Sequence, residues 1–86
     1  MYADIDGQKY ALDSVIAENG VSLVFSDTPI DEVDRIALRL PENLFIRSAN
    51  GGVILYEFEG YTVATSIHKN PANKQVLLSL RRPEDV

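Results

Sequence analysis

Acid–base, metal and phosphate chemistry each need particular side chains brought together, and these 86 residues supply few of them. His68 is the one histidine, and the absence of cysteine removes thiolate nucleophiles, thiolate metal sites and disulfides. His68 falls on the strand face that carries Ala64 and Ser66, so it reads as a surface histidine near a loop, with no catalytic role. Asp4-Ile5-Asp6-Gly7 has part of a calcium-loop pattern. Tyr2 stands where the first ligand belongs and no helices flank it, so a hairpin turn accounts for it better. Gly51-Gly52 lacks the Lys-Ser/Thr and the helix of a phosphate loop. Asp31-Glu32-Val33-Asp34 spells a caspase-type cleavage peptide, yet a helix would not present it extended. Carboxylates are plentiful, but acid–base work needs two of them held across a pocket, and convergence of that kind is not written in a sequence. The expectation is a chain that is not an enzyme, with no catalytic residue, no metal and no cofactor.

One helix divides the elements that could position these groups. Thr28 to Leu40 has a candidate capping residue in Thr28, Pro29 at the first helical position, and Asp31 completing a Thr-x-x-Asp capping box. Ile30, Val33, Ile36, Ala37 and Leu40 share one face, and Pro41 stops the helix. On either side the sequence predicts strands. Ala3 to Ile5 and Lys9 to Leu12 flank the Asp6-Gly7 turn, Asp13 to Ala17 is ambiguous, and Val21 to Ser26 alternates after Asn19-Gly20. After the helix come Leu44 to Ser48, the turn Ala49-Asn50-Gly51-Gly52, Val53 to Phe58, the β-branched run Tyr61 to His68, a turn at Asn70-Pro71, and Gln75 to Arg81. Pro83 to Val86 is a polar tail.

The fold class expected is α+β: mainly antiparallel, six to seven short strands in a sandwich or partly open barrel, with one central helix. A single domain over 1–86 is expected, with strands over 1–27, the helix over 28–40 and strands over 43–82.

The net charge of −5 is lopsided, since residues 1 to 40 hold eight acidic and three basic side chains and the remainder five of each. Lys69, Lys74, Arg81 and Arg82 are too diluted by Glu57, Glu59, Glu84 and Asp85 for a phosphate-binding patch, so nucleic acid is not an expected partner. No apolar run approaches bilayer-spanning length and Met1 to Asp6 is unlike a secretory signal, which predicts no membrane and a cytoplasmic or virion-assembled location.

One feature points to contact with other proteins. Val53-Ile54-Leu55-Tyr56 and Val76-Leu77-Leu78 are apolar on both strand faces. With Ile54, Tyr56, Phe58, Val76, Leu78 and Leu80 as the core set, Val53, Leu55 and Leu77 face the other way, with Phe45 beside them. Either these strands are central and covered on both faces, or the second set is an interface.

Glu59-Gly60-Tyr61-Thr62 followed by Ser66-Ile67, after an acidic helix and an early Tyr10-Ala11-Leu12-Asp13-Ser14, resembles small proteins of bacteriophage and prophage structural gene clusters. Strands, a central helix and more strands also look like the tail-tube type of fold. The resemblance implies a non-enzymatic structural or assembly protein whose partners are copies of itself or other virion proteins; the contacts expected for it are at sheet edges and at the off-core apolar positions Phe45, Val53, Leu55 and Leu77. A second expectation, from charge alone, is an acidic adaptor that docks a basic protein through Asp27, Asp31, Glu32 and Asp34.

Overall fold

In the computed structural model, which describes residues 1–86, the alternating segments form seven strands joined in one antiparallel sheet. β1 (Tyr2–Ile5) and β2 (Gln8–Ile16) make the first hairpin around Asp6-Gly7, both at positive φ, and β2 absorbs the ambiguous residues as far as Ile16. β3 (Val21–Phe25) precedes α1 (Ile30–Ala37). β4 (Asn43–Arg47), β5 (Ile54–Glu59), β6 (Val63–Asn70) and β7 (Gln75–Arg81) follow, with a 3-10 turn at Pro83–Asp85.

The spatial order is β5-β4-β1-β2-β3-β7-β6, so β5 and β6 are the two edges. Only Gly60-Tyr61-Thr62 joins them. Those residues span at most about 14 Å, whereas a flat seven-stranded sheet would hold its edges about 29 Å apart. The sheet therefore curls until its edges approach at that link. The result is an α+β, mainly antiparallel fold with an open, curled sheet.

The inside of the curl is the core. Ala3, Ile5, Tyr10, Leu12, Val21, Leu23, Phe25, Leu44, Ile46, Val76, Leu78 and Leu80 are buried there together with Val33 and Ile36 of α1. Cross-strand register keeps like with like: Leu23 faces Leu78, Phe25 faces Val76, and Ala3 faces Ile46. A bulge between Leu12 and Ser14 sends Val15 inward and leaves Ser14 opposite Val24 on the outer surface.

The helix is shorter than expected and starts differently. Pro29, in an extended conformation, is the cap residue, and its carbonyl accepts from the Glu32 and Val33 amides at 3.0 and 3.1 Å. Thr28 makes no cap bond; its hydroxyl donates to Ser26 O at 3.2 Å because the chain arrives through Asp27 at φ +54°. The far end tightens into i to i−3 bonds at Leu38 and Arg39 before Pro41.

Two of the expected core residues are not core. Val76, Leu78 and Leu80 are buried and Phe58 packs against the core, but Ile54 and Tyr56 are 48% and 41% exposed. The pairing shift between Ile46 and Arg47 is the cause for Ile54: Tyr56 stays opposite inward Ile46, while Ile54 falls opposite outward Arg47. Tyr56 does face inward but stands on an edge strand with no further strand paired beyond it. The covered, central position suits β7, between β3 and β6; for β5 it is wrong.

Polar contacts tie α1 to the first hairpin. Tyr10 donates to Gln8 Oε1 at 2.6 Å, with Glu32 Oε1 at 3.2 Å as a second acceptor, and Arg39 Nη2 lies 3.4 Å from the phenol oxygen. Arg35 donates to Glu32 Oε2 at 2.7 Å, and this bond foremost, helped by Tyr10, holds the Glu32 carboxyl below its ordinary value. The Asp13 carboxyl is likewise lowered, by Gln75 and then Ser26. Unfolding returns both groups to ordinary values near 4, so the unfolded chain takes up protons first. The stability they add is therefore present above about pH 4 and lost as pH falls through the lower folded values. Thermal melts across pH should show stability declining in acid, with a decline that Glu32→Gln makes shallower; an unchanged decline would show that this bond has no linkage to folding.

Candidate protein-contact site

β5 begins where a fixed turn delivers it. Ser48 N–H donates to Val53 O at 2.8 Å, the Ser48 hydroxyl accepts from Val53 N–H at 3.0 Å, and Arg47 Nη1 donates to Gly52 O at 2.9 Å. Gly51 and Gly52 supply the positive φ that this path demands. Val53, Ile54, Leu55 and Tyr56 emerge as four consecutive exposed apolar residues, Val53 being 62% exposed. A run of that kind on a sheet edge is what a contact surface requires.

The strand then acquires two distinct faces. Tyr56 and Phe58 stack on the inward side at 5.6 Å and 13°, Tyr61 meets Phe58 edge-on at 5.7 Å, and Arg82 lies 4.8 Å from the Tyr61 ring centre. Glu57, opposite Phe45, and Glu59, opposite Asn43, point to the outward side. Beyond them a cleft of about 460 Å³ is lined by Glu42, Glu59, Gly60, Thr62, Arg82, Pro83 and Glu84, all polar or small.

The residues singled out from sequence scatter. Phe45, Val53 and Leu55 lie together on β4, β5 and their turn, with Phe45 half-buried under the Arg47 guanidinium, which also reaches Asp4 at 3.8 Å. Leu77 is elsewhere: β1, β2 and β3 separate its strand from β4, and it sits half-buried on the outer surface near Val24 and His68. That shallow cleft, about 190 Å³, also holds Ser14, Asn70 and Gln75.

The acidic group divides as well. Asp27 and Asp31 share a cleft of about 560 Å³ with Lys69 and Lys74, Glu32 is taken by Arg35, and Asp34 points outward from the helix. No three His, Asp or Glu side chains converge as a metal site, and no helix is long and apolar enough to cross a membrane.

Ile54 and Tyr56, expected in the core from the sequence, are exposed residues of the edge strand. The signal was present in the unbroken apolar run, but which strand lies at an edge is a property of the whole sheet. Comparison with known protein families, curated proteins and solved structures finds no significant match.

Proposed function

We propose that this chain is a non-enzymatic structural or assembly protein that works through protein–protein contact at β5, in the phage or prophage setting its sequence resemblance implies. The observation that carries the reading is the exposed run Val53, Ile54, Leu55 and Tyr56 on an unpaired sheet edge. Exposed apolar surface costs solubility and gains nothing for an isolated domain, so its use lies in being covered by another chain.

Leu55→Lys tests this. A contact residue can be charged without loss of the fold, so the variant should keep the wild-type melting temperature to within a few degrees. Where the wild-type chain associates, light scattering should show the variant losing that association. A variant that unfolds, or one that associates as well as wild type, overturns the reading.

A further inference from the structure

The free edge of β5 specifies the kind of strand it can take, and, building on the contact role above, we propose that its occupant is an extended segment of another protein in which basic and apolar residues alternate. The main chain comes first. Gly60 N–H donates to Glu42 O at 2.8 Å, which in the continuing register makes Phe58–Leu44 and Tyr56–Ile46 the hydrogen-bonded pairs. Glu57 and Glu59 between them therefore turn their N–H and C=O groups away from β4. The Glu59 carbonyl shows that direction directly, since it accepts from Arg82 Nε at 3.1 Å. Arg82 closes one end of the edge, the bulge at Leu55 disturbs the other, and Glu57 is left with an unpaired donor and acceptor in between.

A second copy fits that edge badly. Two β5 strands paired through the free Glu57 groups would set Glu57 opposite Glu57 or Glu59, with like charges about 5 Å apart on one face. A register centred on Tyr56 would avoid this but needs the Leu55 main chain, which lies in the bulge. The same carboxylates favour a strand with Lys or Arg opposite them, reinforced by Glu42 and Glu84 at the neighbouring cleft. On the inward side the stacked Tyr56 and Phe58 rings call for apolar side chains at the intervening positions. Outward acid and inward aromatic surface thus match a strand alternating basic and apolar residues, added to the sheet by main-chain bonds. Repulsion of its own copy is what makes the edge selective.

The test uses the full chain and three short peptides: alternating lysine and valine, alternating glutamate and valine, and lysines and valines in separate blocks. The lysine–valine peptide should bind, slow amide exchange at Glu57 while Tyr56 and Phe58 stay as protected as before, and bind more weakly as salt rises. The other two should bind at least about tenfold more weakly. Glu57→Lys with Glu59→Lys should reverse the preference toward the glutamate–valine peptide. Equal binding of all three peptides, no binding, or binding without protection at Glu57 overturns the proposal. A doubled solution mass that Leu55→Lys abolishes also overturns it while leaving the assembly role standing, whereas unfolding of Leu55→Lys removes that role itself.

Discussion

Leu78→Ala should destabilise the domain by about 2–5 kcal/mol, while Leu77→Ala, one residue away, should cost about 1 kcal/mol or less. Leu78 has no exposed surface and lies in register between Leu23 of β3 and Ile67 of β6, inside the curl of the sheet. Removing its side chain leaves a cavity whose walls belong to paired strands and cannot easily collapse. A domain of this size has a total stability of only about 4–13 kcal/mol, so the loss would be a large fraction of it. Leu77 points to the outer surface, between Val24 and His68, and is only half-buried, so truncation there exchanges little packing for water. Urea unfolding of both variants measures the difference. Equal costs would mean that the outer surface at β7 is sealed as tightly as the core.

That pair also shows what the sequence made legible. Alternation within β7 separates Leu77 from Val76, Leu78 and Leu80, and the period-two rule needs no knowledge of neighbouring strands. The same rule failed in β5, because one extra residue at the bulge moves Ile54 to the opposite face from Tyr56, and a bulge carries no sequence mark here beyond the apolar run itself. The apolar face of the helix is legible in the sequence, but its start is not. Thr28 and Pro29 carry the residue types of a cap and first turn, yet the left-handed Asp27 brings the chain in so that Pro29 takes the cap position.

The candidate site was legible in part for a related reason. Val53 and Leu55 were marked by being apolar where a one-faced strand would be polar, a local property. Strand order is not local: β5 pairs with β4 across a short turn, but nothing in either segment tells that no strand lies beyond it. Leu77 shares their pattern, yet four strands of the sheet, β4, β1, β2 and β3, separate β5 from β7. The acidic residues around Asp27 to Asp34 formed one group in sequence; folding brings Lys69 and Lys74 from the β6–β7 hairpin against two of them.

Gly20→Ala should be nearly as damaging as the loss of a core side chain, at about 2–5 kcal/mol, although no packed group is removed. Gly20 closes the turn into β3 at φ +103°, a conformation that strains any residue with a Cβ. A Cβ added there would stand 2.7 Å from Leu80 O and 3.3 Å from Arg81 Cγ. The arginine can swing aside; the carbonyl cannot, because Leu80 lies in the β3–β7 ladder opposite Val21. Relief requires the end of that ladder to open, which exposes Val21 and Leu80, both nearly fully buried. Gly51 provides the control, having a similar φ of +81° but no atom within 4 Å of the added Cβ, so Gly51→Ala should show the backbone cost alone, about 1–2 kcal/mol. Denaturation of the two variants, with amide exchange followed at Val21 and Leu80, separates the contributions. Faster exchange confined to that corner in Gly20→Ala identifies the steric one, and equal behaviour of the two variants would reduce both to backbone strain.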